Sequence, residues 1–244
     1  MPAMASFYLG TSGFAYDAWR HGVFYPEGVP ASGMLRHYAT VFGSVEINYT
    51  FRRYPTDKVL AAWREQTPGD FRFTLKAHMR ITQIRRLRDA GADLRDFADR
   101  AAELGDRLGP VLFKCPQGLT YDEELLRAFA ADVPQGVRAV MDFRDPSWSD
   151  ARELAAEVGL AWCVSDTDER AAGDDDWAEE PFAYLRLRRA GYSDAELEVW
   201  AGRIRGALGR GRDVYCYFKH EDSGAGPRMA LRLERAIRAA ALPP

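Results

Sequence analysis

The chain of 244 residues is 47% hydrophobic and 28% charged, a balance that excludes a disordered polymer and provides for a sizeable core. Its formal net charge of −3 excludes a bulk positive field that would draw it to nucleic acid or anionic membrane, so any anion site has to be local. No run approaches the roughly 18 apolar residues of a membrane span, and "MPAMASFYLG" lacks the charged and long apolar regions of a secretion signal.

In chain order, the first strand-like run is "FYLGTS" from Phe7. A loop crowded with rings follows, "GFAYDAWRHGVFYPEG", in which Tyr16 and Trp19 either stack on a ligand or plug the end of the fold. "SVEIN" from Ser44 is the second strand and places Glu46 and Asn48 between apolar positions, a costly arrangement unless they are hydrogen-bonded or face a wet cavity. Pro55-Thr56-Asp57 then opens a helix carrying Val59, Leu60 and Trp63. "FRFTLKAH" from Phe71 ends on Lys76 and His78, and Leu94, Phe97, Ala101, Leu104 and Leu108 form the stripe of the next helix.

"PVLFKC" from Pro110 carries Lys114, and Thr120-Tyr-Asp-Glu123 fits a capping box. "RAVMDFR" from Arg138 carries Asp142 and Arg144, with Trp148 just beyond as a site wall or a helix-start anchor. "LAWCVSD" from Leu160 ends on Asp166, and the acidic run "AGDDDWAEE" reads as a loop or short helix start. "FAYLRLR" from Phe182 holds Arg186 and Arg188, and Ser193-Asp-Ala-Glu196 is a second capping box, opening a helix with Leu197, Trp200, Ile204 and Leu208 on one face. "DVYCYFKH" from Asp213 is the eighth strand and ends on Lys219 and His220.

Strand starts this far apart leave room for βα units and not for hairpins. The expected fold is α/β, a single-domain (β/α)8 TIM barrel over residues 1–244. An open doubly wound sheet would carry a Gly-rich phosphate turn after its first strand, and "GTSGF" is not one. Such barrels place their sites at the carboxyl ends of the strands, where this chain concentrates its ionisable residues. The expectation is a cation-rich pocket there. Glu46, Asp142 and Asp166 are the catalytic acid/base candidates. Asn48, Lys76, Lys114, Arg144, Arg186, Lys219, Tyr16, Trp19 and Trp148 are the substrate-binding candidates.

The implied partner is a small anion bearing phosphate or carboxylate. Nucleic acid ranks below it, and no membrane partner or cofactor motif is present. No local metal-ligand motif occurs, although Glu46, His78, Asp142, Asp166 and His220 are oxygen- and nitrogen-bearing groups of the right kind. Cys115, Cys163 and Cys216 are odd in number and form no C-x-x-C pair, which points to core packing in a cytoplasmic protein.

The segments "GTSGFAYDAW" with "GVFYP", "VEINYTFRRYP", "FRFTLKAHMRITQIRRL", "DFRDPSW" and "VYCYFKH" resemble, in order and over essentially the whole chain, the YecE-like family known as domain of unknown function 72. The resemblance implies a TIM barrel and no particular activity. By position, Glu46, Asn48, Thr50, Phe51, Arg53, Lys76, Arg144 and Trp148 match its pattern. Phe14 replaces a tryptophan, Gln83 a histidine, Asp142 a glutamate and Lys114 a glutamine, while Lys219 and His220 replace paired asparagines and "RLRRAG" varies the usual R-x-H-G. These changes shorten one carboxylate and add positive charge. The resemblance therefore does not carry the relatives' ligand over to this chain.

Overall fold

The computed structural model describes residues 5–173, 182–219 and 224–239. It contains β1 (Phe7–Thr11), α1 (Met34–Tyr38), β2 (Ser44–Ile47), α2 (Asp57–Gln66), β3 (Arg72–Lys76), α3 (Gly91–Ala102), β4 (Leu108–Lys114) and α4 (Glu123–Asp132). Then follow β5 (Ala139–Asp142), α5 (Arg152–Glu157), β6 (Ala161–Asp166), β7 (Phe182–Leu187), α6 (Asp194–Gly209), β8 (Asp213–Phe218) and α7 (Ala225–Ala239). The strands run parallel in the order β1-β8-β7-β6-β5-β4-β3-β2, the eight-stranded α/β architecture expected of a (β/α)8 fold. His220 and most of the acidic run lie outside the described residues.

The chain divides into two compact units, Glu46–Cys163 (the central unit) and Met1–Val45 with Val164–Pro244 (the terminal unit). In the central unit, Phe73 of β3 stacks on Trp63 of α2 at 5.3 Å and Phe113 of β4 meets Phe129 of α4 at 5.2 Å. Those contacts define the helix-facing side of the strands, and alternation puts Lys76, Lys114 and Asp142 on the other side. Between Phe73 and Leu75 the β3–β4 register slips, opposite Gly109-Pro110, where a proline without an N–H is tolerated.

In the terminal unit, β8 lies between β1 and β7, and one face of this trio carries Tyr8, Tyr184, Tyr215, Tyr217 and Arg186. Tyr8 stacks on Tyr215 at 4.6 Å, and the Tyr217 and Ser44 hydroxyls share a 2.6 Å hydrogen bond. A side chain at Gly10 would run into the Ser44 carbonyl at 1.9 Å, so glycine is required where this carbonyl comes up against β1.

The local signals held unevenly. Ser193 and Glu196 form the expected reciprocal capping box on α6, and Thr56 caps α2. At α4 the cap is Asp122, whose carboxylate accepts from Leu125 N–H, and not Thr120: the nearer side chain reaches the free amides. Leu108 begins β4 instead of closing the α3 stripe, and Leu208 is half-buried.

Candidate functional site

Parity carried the sequence argument past the true strand ends. β2 stops at Ile47, and Asn48 has already turned to φ −85° and ψ −20° at the head of a 3-10 turn over Tyr49–Phe51. β3 stops at Lys76 and β5 at Asp142, so His78 and Arg144 are placed by loops. Once the backbone leaves the extended state, alternation of faces ceases.

In the central unit, β2 to β5 are consecutive staves and present Glu46, Lys76, Lys114 and Asp142 at or near their carboxyl ends. Glu46 is fully buried and Asp142 nearly so. Lys76 Nζ sits 3.9 Å from the centre of the Phe51 ring, and the Thr50 hydroxyl donates to the Lys76 carbonyl at 2.7 Å. Lys114 is paired in register with Asp142, and its carbonyl accepts from the Gln83 amide at 2.8 Å. Asp142 accepts from Arg144 at 3.2 Å, and this is the one protein group that Arg144 meets among the described residues. The Arg144 Nε is buried and has no acceptor there. A buried donor left without a partner costs about 1–3 kcal/mol.

His78 stacks face to face on Tyr54 at 4.7 Å, and its Nδ1 accepts from the Arg80 N–H at 3.3 Å. Burial first, and then the Asp96 and Asp93 charges, raise the Tyr54 phenol above its ordinary range. Trp148 is buried, stacks on Phe143 at 3.9 Å and donates its indole N–H to the Leu119 carbonyl at 2.6 Å, the geometry of a helix-start anchor.

In the terminal unit, Asp166 is fully buried and takes three donors. They are Ala172 N–H at 2.9 Å, Arg189 at 3.0 Å and the Tyr192 hydroxyl at 2.9 Å. Burial, then the Asp166 charge, push the Tyr192 phenol far up, so it stays a donor. This carboxylate ties the loop after β6 to the segment leading into α6, an anchoring arrangement. Arg186 and Arg188 stand out from the sequence and Arg189 does not, because three neighbouring arginines carry no sign of which one meets Asp166.

Arg186 is buried on the face of Tyr217, its register partner in β8, and Lys219 is half-buried just past β8. In the first loop Trp19 and Tyr25 are fully buried and ring Phe24, while Tyr16 donates its hydroxyl to the Ser12 carbonyl at 2.8 Å. The rings of Tyr16 and Trp19 pack on each other at 4.8 Å. No group of three or more His, Cys, Asp or Glu side chains that could hold a metal ion occurs among the described residues.

The family model described as "Protein of unknown function DUF72" matches residues 8–244. The chain belongs to the DUF72 family. The YecE protein (UPF0759) of Escherichia coli strain K12 is 33% identical over 98 residues, 40% of this chain and 35% of that protein. The aligned stretch is therefore about a third of the length of that relative. Among solved structures, a DUF72 protein from Thermotoga maritima has a TM-score of 0.79 at 24% identity, covering 96% of this chain and 99% of that one. A DUF72 protein from Enterococcus faecalis has a TM-score of 0.75 at 16% identity and covers both chains completely. At these identities the solved DUF72 structures establish the fold.

Proposed function

We propose that this DUF72 chain is an enzyme that acts on a small phosphorylated or carboxylated compound by acid/base chemistry, at the carboxyl ends of β2 to β5. The observation that carries the reading is the buried Arg144 Nε without an acceptor, beside a guanidinium nitrogen already held by Asp142. A guanidinium edge of this kind suits an oxyanion, because its donors lie in one plane at carboxylate and phosphate spacing. Lys114, in register with Asp142, adds positive charge on the same side of the sheet. In this reading Arg144 and Lys114 hold the anion, Asp142 moves the proton, and Glu46 is the second carboxylate; stabilisation of developing negative charge by the cations supplies the larger share of rate.

Asn48 and Lys76 complete the contacts proposed from this unit. In the terminal unit, Arg186 and Lys219 are proposed as anion-binding cations in their own right. Asp166, Tyr16, Trp19 and Trp148 serve as anchors and packing instead. The reading places the protein in the cytoplasm, supported by three buried cysteines that form no disulfide. Among the described residues no helix is long and apolar enough to cross a membrane.

Inorganic phosphate should raise the melting temperature of the wild type, and Arg144→Ala should abolish the rise. Asp142→Asn should keep the rise while losing turnover of whichever compound in a phosphosugar and phosphoacid panel the wild type converts. A phosphate shift that survives Arg144→Ala would overturn the reading.

A further inference from the structure

Four arginines crowd the connection from β3 to α3: Arg80, Arg85, Arg86 and Arg88. The backbone there is unusual. A single π-helical turn spans Arg80–Ile84, and Arg86, Leu87 and Asp89 then adopt φ of 53°, 69° and 47°. L residues are disfavoured in this left-handed region, and none of the three is glycine or asparagine. Such a conformation persists only where its surroundings over-determine it. Here Leu87 is buried and its N–H donates to the Ile81 carbonyl at 3.0 Å, while the Gln83 amide is held by the Lys114 carbonyl.

The four guanidinium groups differ in their partners. Arg80 and Arg85 share the buried Asp93 at 3.2 and 3.0 Å, and Arg88 takes Asp122 at 2.9 Å. Arg86 meets no carboxylate among the described residues; it donates to the Gly118 carbonyl at 2.6 Å, a neutral acceptor. It is also half-buried, whereas the other three are exposed. A partly desolvated cation beside a neutral acceptor keeps most of its charge available.

Its position is relevant. Gly118, its anchor, uses its own N–H on Asp145 at 3.0 Å, the residue after Arg144. Cys115, next to Lys114, has its thiol pushed up by burial and then by the Asp142 carboxylate, while the Arg86 charge pulls it the other way. The charges of Arg86 and Asp142 therefore both reach the residue just past β4.

We infer that Arg86 is a second guanidinium of the Arg144 site, which narrows the ligand to compounds bearing two anionic groups, such as a bisphosphate or a phosphorylated carboxylic acid. The inference rests on the Arg144 reading and deepens it. The strained backbone is then what turns Arg86 inward while its three neighbours stay at the surface.

Isothermal titration with inorganic phosphate and with pyrophosphate tests this. The wild type should bind pyrophosphate about tenfold or more tighter than phosphate, since a second charge-assisted grip is added. Arg86→Gly suits the left-handed backbone and should not lower the melting temperature. It should erase the preference for pyrophosphate, lowering pyrophosphate affinity about tenfold or more and phosphate affinity by much less; Arg86→Lys should restore part of the preference, and Arg86→Gln repeats the test should the glycine variant fail to fold. A preference that survives in the glycine or glutamine variant would make Arg86 a loop tether and sink the inference alone. Phosphate binding that survives Arg144→Ala would instead remove the reading beneath it.

Discussion

Two buried carboxylates on neighbouring strands, Asp142 of β5 and Asp166 of β6, each meet an arginine, at 3.2 and 3.0 Å. Their surroundings separate them. Asp166 is bound by three donors, and Arg189 uses both terminal nitrogens, on Asp166 and on Glu196 at 2.8 Å, with the Tyr192 ring 5.6 Å from its centre. Arg189 also leaves its Nε buried without an acceptor, but both of its terminal nitrogens are already held by carboxylates. Arg144 uses one nitrogen and keeps an edge for another partner. A buried ion pair is thus not by itself a sign of a site; what distinguishes a binding group is donor capacity left over after the fold has been satisfied.

The sharpest way to break this contrast is to remove one member of each pair. Asp166→Ala strands a half-buried guanidinium and a buried phenol, and should cost about 3 kcal/mol in urea denaturation, the low end of the penalty for one half of a buried pair. Arg144→Ala should cost about 1–2 kcal/mol, because it also removes a donor that had no acceptor. Equal losses would erase the distinction.

The capping box is next in size. Ser193→Ala should lose about 1 kcal/mol, read from the denaturation midpoint, since the Ser193 hydroxyl accepts from Glu196 N–H at the start of α6. Asp89→Gly, at an exposed left-handed residue, should be neutral or gain up to about 1 kcal/mol. A loss there would show that the loop depends on the Asp89 side chain and not on its backbone alone.

The smallest effect concerns pH. The Leu125 N–H, and after it the Arg88 guanidinium, hold the Asp122 carboxyl below its ordinary value. A carboxyl whose folded value lies below its unfolded one, near 3.9, stabilises the fold above that value, and the contribution disappears as pH falls through the folded value. Asp122→Asn should therefore flatten the acid limb of the stability profile below about pH 4, where its protons no longer differ between states. An unchanged limb would place the acid sensitivity elsewhere.

Much of this molecule was legible in its residues. All eight strands lie where apolar and β-branched runs place them, because a strand covered by helices has to be apolar nearly throughout. The α6 cap was legible too, since a capping box is a contact between residues three apart. Glu46, Lys76, Lys114 and Asp142 stood out as charges inside those runs, where solvent cannot account for them.

What tertiary structure alone decided is the partner of each charge. Nothing local marks Asp166 as an anchor or Arg189 as its partner, because Arg189 and Tyr192 reach Asp166 from a segment more than twenty residues further along the chain. The left-handed turn at Arg86 is of the same kind: its residue types favour a right-handed backbone, and burial of Leu87 with long-range hydrogen bonds overrides that preference. Burial pattern and short-range caps are properties of neighbouring residues. The donor capacity of a buried guanidinium depends on what the rest of the chain leaves unused.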